Sequence, residues 1–193
     1  MKSYSQAGQD IWCHRLIPSD SGTFLDIGCG DLQWSNTLAL EEIGWIGTLL
    51  DIGEGAFQSM TQRPKCLAIK ADATKFNWLQ IIDKMHVPVF EVDYLSLDVD
   101  HASLDALRNL PLDRMKFKVI TAEHDYWRFG DELRVPMREI FKKAGYFPVH
   151  LDVCGTPGQP FEDWWVSEAL VPAIKQSEVD APNGMYWEDI LKL

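Results

Sequence analysis

The sequence lacks the features that mark several large protein classes. Its four cysteines, Cys13, Cys29, Cys66 and Cys154, are scattered and form no Cys-x-x-Cys pair. This spacing predicts neither a zinc knuckle nor a disulfide framework, and reduced thiols are typical of a cytoplasmic protein. No apolar stretch has the length of a membrane span, and the first residues lack the apolar core of a signal peptide. We therefore expect a soluble, cytoplasmic protein.

Basic side chains are also scarce. The chain has 18 Lys and Arg against 29 Asp and Glu, a net charge of −11. Proteins that bind nucleic acid usually carry a basic surface, because contacts to phosphates supply most of their affinity. We therefore expect no nucleic-acid partner. With 193 residues, 46% of them hydrophobic, the sequence predicts one domain over residues 1–193 that folds without a metal or a disulfide.

Short apolar runs alternate with helix candidates along most of the chain. The runs are 23–28, 46–52, 66–72, 91–100, 117–125 and 146–153. The helix candidates are 34–44, 54–62, 76–85, 103–110 and 131–145. Nearly continuous Leu, Ile, Val and Phe indicates strands that are covered on both faces. The alternation predicts an α/β fold with a mostly parallel, doubly wound, Rossmann-like sheet, and residues 161–170 predict a final antiparallel strand.

Two glycines follow the first predicted strand, in Leu25-Asp-Ile-Gly28-Cys29-Gly30. In such sheets, ligands bind beyond the carboxyl ends of the strands, where the strand order switches. Glycines there let backbone amides approach a ligand without obstruction by side chains. Such a glycine pair also occurs in simple tight turns, so the pair alone is weak evidence for a ligand.

A series of aspartates follows the next strands and strengthens the evidence. Asp51 ends the second predicted strand, Asp72 the third, and Asp98 and Asp100 the fourth. A carboxylate after the second strand suits hydrogen bonds to the two hydroxyls of a ribose. Asp72 suits an adenine amine, and Asp26 suits the amino end of a methionine moiety. The competing interpretation is that these acids only cap the helices that follow them.

These residues favour S-adenosylmethionine (SAM) over a dinucleotide. A nicotinamide dehydrogenase needs a third glycine where Gln33 stands, and the chain has no room for a separate substrate domain. SAM has no pyrophosphate, so the missing glycine matters less. We therefore predict the Rossmann-like fold of SAM methyltransferases. The predicted cofactor-binding residues are Asp26, Gly28, Cys29, Gly30, Asp51, Ile52, Asp72, Ala73 and Asp98.

Six ordered segments resemble the FkbM family of SAM-dependent methyltransferases. They are Ser5–Asp10, Phe24–Gly28, Ser35–Thr37, Asp93–Asp100, Glu123–His124 and Phe161–Val166, and the resemblance runs from about residue 4 to 167. It implies O-methylation of a hydroxyl on a small-molecule or carbohydrate-like acceptor. Leu32 and His101 stand where the family usually has glycines. These departures leave a second hypothesis open, a catalytically degenerate SAM-binding module that acts through a partner.

Glu123 and His124, after the fifth predicted strand, lie next to Asp98 in the expected sheet. In one hypothesis His124 is a general base for the acceptor hydroxyl, and Glu123 or Asp98 orients its ring. In a second, less favoured hypothesis all three bind a divalent metal ion that polarises the acceptor oxygen. A third interpretation gives the Glu-His pair only a structural role. Residues 171–193 are either a docking helix or a partner contact, and the sequence does not decide between them.

Overall fold

The computed structural model describes residues 1–80 and 89–193. These residues form a seven-stranded sheet. Its strands are β1 (Thr23–Ile27), β2 (Ile46–Asp51), β3 (Cys66–Lys70), β4 (Phe90–Leu97), β5 (Met115–Glu123), β6 (Tyr146–Thr156) and β7 (Gln159–Ser167). The helices are α1 (Gln9–Leu16), α2 (Leu38–Ile43), α3 (Glu54–Met60), α4 (Ser103–Asn109), α5 (Tyr126–Phe129), α6 (Asp131–Lys143), α7 (Gln176–Val179) and α8 (Trp187–Ile190). Of the helix candidate 76–85, residues 81–85 lie outside the described residues.

The strand order is β3-β2-β1-β4-β5-β7-β6. Strands β1 to β5 pair in parallel, whereas β7 lies antiparallel between β5 and β6. This arrangement confirms the predicted α/β, doubly wound sheet with a final antiparallel strand. The sequence did not predict that β7 lies inside the sheet and leaves β6 at its edge.

The chain runs from β1 outward to β3 and then returns to place β4 on the other side of β1. The carboxyl ends of β1 and β4 therefore form the switch point at which ligands bind in open α/β sheets. The two strand ends lie so close together that a Cβ on Gly28 would lie 1.6 Å from the carbonyl oxygen of Asp98. Gly28 also has φ +81°, so both space and backbone conformation require glycine there.

Two apolar clusters pack the sheet. One contains Leu107, Phe117 and Phe141, and the other contains Trp12, Trp45 and Trp164. These tryptophans are fully buried, which gives the molecule its largest packed side chains. No helix formed by residues 1–80 and 89–193 has the length and apolarity needed to cross a bilayer.

The C-terminal segment, residues 171–193, packs against its own chain. Helix α7 brings Glu178 to Arg15 on α1, with 2.6 Å between the charged atoms. The same Glu178 accepts a hydrogen bond from Trp12 Nε1 at 3.2 Å and lies 3.3 Å from His150 Nε2 on β6. Ile190 belongs to the buried apolar cluster of Trp12, so apolar packing and the contacts of Glu178 together join this segment to the rest of the chain.

Candidate functional site

A cavity of about 670 Å³ opens at the carboxyl ends of β1 to β4. Most of the predicted cofactor-binding residues line it, namely Gly28, Gly30, Asp51, Ile52, Asp72, Ala73 and Asp98. These residues come from four different strand ends, and parallel strands deliver their carboxyl ends to one edge of the sheet. Of the nine residues predicted to bind the cofactor, seven line this cavity, and Asp26 and Cys29 do not.

Asp51 connects the first loop to the second. Its Oδ2 accepts a hydrogen bond from the backbone N–H of Gly30 at 3.1 Å, and its Oδ1 accepts one from Gly53 at 2.7 Å. Gly30 has φ +56° and would meet no atom within 4 Å if it carried a Cβ. The carboxylate of Asp51 therefore holds the backbone of the first loop on one side. On the other side, Gly30 faces open space.

Asp72 is engaged by its own loop. Its carboxylate accepts hydrogen bonds from the backbone and hydroxyl of Thr74 and from Lys75 Nζ at 2.7 Å. The hydrogen bond from Lys75, with those from Thr74, lowers the pKa of Asp72 to about 2. An adenine amine would have to share this carboxylate with Lys75, which is exposed and can move away.

Asp26 and Cys29 are buried behind the first loop. Asp26 is 1% exposed and accepts a 2.6 Å hydrogen bond from the Thr37 hydroxyl. Burial raises the pKa of Asp26 despite this bond and the nearby charge of Arg63. Burial likewise raises the pKa of the Cys29 thiol, whose side chain packs in the core. Asp26 therefore bonds to Thr37 at the start of α2, and the side chains of Asp26 and Cys29 do not line the cavity.

Asp98 and Glu123 are neighbouring carboxyl groups at the ends of β4 and β5. Burial raises the pKa of both, and the negative charge of Asp98 raises that of Glu123 further. Like charges this close favour one shared proton over two ionised groups. The pair is suited to accepting or holding a proton at the edge of the cavity.

His124 has contacts on both ring nitrogens. Its Nε2 lies 3.2 Å from Asp163 Oδ1, and its Nδ1 accepts a hydrogen bond from the backbone N–H of Tyr126 at 3.2 Å. The side chain is 1% exposed. The acid at the ring is therefore Asp163, which β7 brings beside the end of β5, and not Glu123 or Asp98.

The three ligands of the metal hypothesis do not come together. Within the described part of the chain, His124 belongs to a group with Asp152 and Asp163, whereas Glu123 belongs to a group with Asp100 and Asp125. The first of these groups is already paired with Arg134 and Arg138, at 2.7–2.8 Å. Asp98, Glu123 and His124 therefore do not form the predicted set of metal ligands. The role of His124 as a general base stays a prediction.

Sequence reasoning missed several residues at this edge of the sheet. His101, in the segment after β4, and Asp105, on α4, also line the cavity. Asp125 lies beside Glu123 and has φ +45°, a conformation that Asp adopts more readily than most residues. For His101 and Asp125 the available signal was their position shortly after β4 and β5.

No family model matches the chain, and no curated protein matches it. Among solved structures, the chain is similar to a TehB-like SAM-dependent methyltransferase from Corynebacterium glutamicum, with 13% identity and a TM-score of 0.53 over 82% of this chain and 86% of that one. It is also similar to TYW2 from M. jannaschii in complex with AdoMet, with 12% identity and a TM-score of 0.51 over 86% and 76%. At these identities the likeness shows the fold, so the chain has the Rossmann-like fold of SAM-dependent methyltransferases.

Proposed function

We propose that the protein is a SAM-dependent methyltransferase that binds SAM in the cavity at the β1/β4 switch point. The observation that carries the proposal is the meeting of Gly28, Gly30, Asp51 and Asp98 in one cavity at this point of the fold. The similar TYW2 structure, which contains AdoMet, supports the same class of ligand.

The residues present fit the cofactor. The cavity volume of about 670 Å³ lies within the range of small-molecule sites. A side chain at position 30 would occupy space that Gly30 leaves open for a ligand. Five aspartates line the cavity, namely Asp51, Asp72, Asp98, Asp100 and Asp105, so it favours a ligand with positive charge.

Each part of SAM has candidate partners in the chain. Asp51 would hold the ribose hydroxyls, and the backbone of Gly28–Gly30, including Cys29, would face the methionine part, with Asp26 behind it. Asp72 and Ala73 would face the adenine, beside the exposed side chain of Ile52. When bound, SAM supplies a methyl group on a sulfonium, and the protein's part is to align an acceptor with that group and exclude water.

The acceptor is proposed to be a hydroxyl on a small-molecule or carbohydrate-like compound, as the FkbM resemblance implies. A neutral hydroxyl is a poor nucleophile, and Asp98 with Glu123 offers a proton-accepting pair beside the cavity. Trp34 and Trp127, 61% and 54% exposed, follow β1 and β5 and offer aromatic faces for a ring. His124 would act as base only if it released one of its two contacts.

Calorimetry with S-adenosylhomocysteine tests the proposal. We expect binding to the wild-type chain and roughly 10- to 100-fold weaker binding to Asp51→Asn, because hydrogen bonds to a charged group contribute about 1.5–3 kcal/mol. The control is Asp180→Asn, an exposed aspartate in the C-terminal segment, which should bind as the wild type does. Absence of wild-type binding at about 1 mM ligand, where useful cofactor sites are largely filled, would rule the proposal out.

A degenerate SAM-binding module is the second candidate. It is favoured by His101, which lines the cavity where the family usually has a glycine, and by Leu32 in the first loop. The two candidates differ in methyl transfer from labelled SAM to pooled small-molecule extracts. Transfer at any detectable rate excludes the degenerate module, whereas cofactor binding without transfer favours it.

A further inference from the structure

Three acidic side chains lie in line across β5 and the strands on either side of it. Glu123 on β5 is the register partner of Glu162 on β7. On the other side, Ala122 pairs with Leu97, the last residue of β4, so Asp98 follows beside Glu123. Register partners point to the same face of a sheet. Asp98, Glu123 and Glu162 therefore lie side by side, and we call them the acidic row.

The acidic row extends from the cavity into the interior of the protein. Asp98 lines the cavity, whereas Glu123 and Glu162 are only 8% and 2% exposed. Glu162 accepts hydrogen bonds from the Gln9 side chain and from Trp164 Nε1, the latter at 2.7 Å. Burial raises the pKa of Glu162 to about 8. Burial without a cation opposes ionisation, so a carboxyl group in this position is neutralised by a proton.

The charged groups around Glu123 do not neutralise it. One oxygen each of Asp100 and Asp125 lies within 4.8 Å of a Glu123 oxygen, and both residues are acidic. Arg128 lies 3.2 Å from Asp100 and 3.8 Å from Asp125, and its side chain is 51% exposed. Within residues 1–80 and 89–193, no ion pair joins the acidic row to a basic side chain. Burial raises the pKa of Glu123, and the surrounding negative charges raise it further.

Glu123 and Asp98 meet through a hydrogen bond between their carboxyl groups. A carboxylate offers only acceptors, so this bond requires a proton on one of the two groups. The burial of Glu123 favours the proton there, whereas Asp98 at the cavity keeps the negative charge. In the described part of the chain, no N–H or O–H group donates to the buried Oε2 of Glu123, which fits a group that is itself a donor. The contact between the two groups, and not only their closeness, therefore identifies a bound proton.

We propose that Glu123 is a positioning residue that stays protonated in the folded protein and donates a hydrogen bond to Asp98, the base at the cavity. This bond holds the Asp98 carboxylate in one orientation at the edge of the cavity. Burial raises the pKa of Asp98 to about 6, and the hydrogen bond from Glu123 opposes a larger rise. Asp98 is therefore ionised at neutral pH, and its affinity for a proton suits a general base.

The role of Asp98 as a base rests on the proposed function. When an acceptor hydroxyl is methylated, the bond between oxygen and the methyl carbon forms, and the bond between that carbon and sulfur breaks with its electron pair left on sulfur. The hydroxyl proton moves to Asp98, whose carboxylate becomes neutral. Glu123 keeps its own proton throughout. The acidic row therefore loses one negative charge in the same step in which the positive charge on sulfur disappears.

Infrared difference spectra of the full chain test the proton on Glu123, because a protonated carboxyl group and a carboxylate absorb at separate frequencies. At about pH 8, well above the ordinary pKa of glutamate, we expect the spectrum of the wild type minus that of Glu123→Gln to contain a band of a protonated carboxyl group. Recording the same pair in a Glu162→Gln background removes any contribution from the neighbouring acid of the row.

The matched control is Glu178→Gln. Glu178 is also buried, but the hydrogen bond with His150 and the charge of Arg15 outweigh its burial and lower its pKa to about 2. Its difference spectrum at about pH 8 should therefore contain only bands of a carboxylate.

The same spectra, recorded from about pH 4 to 8, follow the ionisation of Asp98 and are assigned with Asp98→Asn. We expect a midpoint near pH 6 in the wild type and in Glu123→Gln, because the amide N–H donates to Asp98 in place of the hydroxyl. Glu123→Leu removes the donor and should weaken the acid dissociation of Asp98 roughly 10- to 100-fold. A residue that only filled space would give the same midpoint in both variants.

The proposal is overturned if the Glu123 difference spectrum contains only carboxylate bands at about pH 8, or if the Gln and Leu variants share one Asp98 midpoint. If Glu123→Leu does not fold, urea unfolding of Glu123→Gln decides. The unfolded wild type releases a proton that the folded chain holds, so its unfolding constant relative to that of Glu123→Gln should rise by up to about tenfold per pH unit between about pH 6.5 and 8. A ratio that stays constant with pH overturns the proposal.

The outcome separates this inference from the proposed cofactor site. Binding of S-adenosylhomocysteine without the band of a protonated Glu123 removes the inference and leaves the cofactor site intact. The band without binding of S-adenosylhomocysteine supports the proton on Glu123 and removes the role of Asp98 in methyl transfer.

Discussion

Glu123 and Asp163 lie on the neighbouring strands β5 and β7 and are both buried, yet their pKa values shift in opposite directions. Burial opposes ionisation of Asp163, but hydrogen bonds from Arg138 and His124 outweigh it and lower the pKa of Asp163. Burial raises the pKa of Glu123, and the charge of Asp98 adds to the effect. Asp163 is paired with a cation of the chain and helps to hold the fold together, whereas Glu123 is paired with another acid, Asp98, beside the cavity, where a perturbed carboxyl pair is available for a proton or a ligand.

The largest effect on stability is expected from Arg138→Leu. Arg138 binds both oxygens of Asp163, each at 2.7 Å, and its loss leaves a buried charge without its main partner. Breaking such a pair costs about 3–5 kcal/mol of unfolding free energy. Urea unfolding at neutral pH measures the loss.

Arg108→Leu is the control for this comparison. Arg108 pairs with Asp105 at 3.0 Å, but both side chains are more than half exposed, and such pairs contribute about 0–1 kcal/mol. If Arg138→Leu and Arg108→Leu lose the same stability, the burial of the Arg138–Asp163 pair does not strengthen its contribution to the fold.

A smaller effect is expected from Glu178→Gln, which weakens the contact of the C-terminal segment with α1. Hydrogen bonds to a charged group contribute about 1.5–3 kcal/mol, so we expect a loss in that range at neutral pH. Burial opposes ionisation of Glu178, but the hydrogen bond with His150 and the charge of Arg15 lower its pKa to about 2.

The sign of the pH dependence follows from this lowered pKa. The folded chain binds the Glu178 proton less tightly than the unfolded chain, so the stabilisation is present above the ordinary pKa of 4.5 and is lost as the pH falls from there to about 2. The difference between the wild type and Glu178→Gln should therefore be constant between about pH 5 and 8 and shrink in acid. Urea unfolding at a series of pH values shows whether it does, and a difference that grows in acid would contradict the assignment.

The same comparison explains which features could be predicted from the sequence. Apolar runs such as 46–52 predict strands that are covered on both faces. Because these strands are parallel, their carboxyl ends lie at one edge of the sheet. Asp51 and Asp98 could therefore be grouped beside one cavity without coordinates.

Pairings between distant side chains could not be predicted in this way. The insertion of β7 between β5 and β6 brings Asp163 next to His124, 39 residues away in sequence. Nothing in the Glu123–His124 dipeptide indicates that His124 meets Asp163 and Glu123 meets Asp98, because both pairings depend on which strands lie beside β5. The Glu178 contact with Arg15 spans 163 residues and has no local signal.

The smallest expected effect is on the cavity side of the comparison, where Asp98→Asn should leave stability unchanged or raise it by up to about 1 kcal/mol. Glu123 and Asp98 share a proton, and an amide oxygen at position 98 would still accept the hydrogen bond of a protonated Glu123 without placing a buried negative charge beside it. A group kept at a cost to stability is typical of functional sites. Urea unfolding measures the stability, and labelled-SAM transfer should fall in the same variant. A loss of more than about 1 kcal/mol would show that Asp98 holds the fold together as Asp163 does, and the division between paired and available acids would fail.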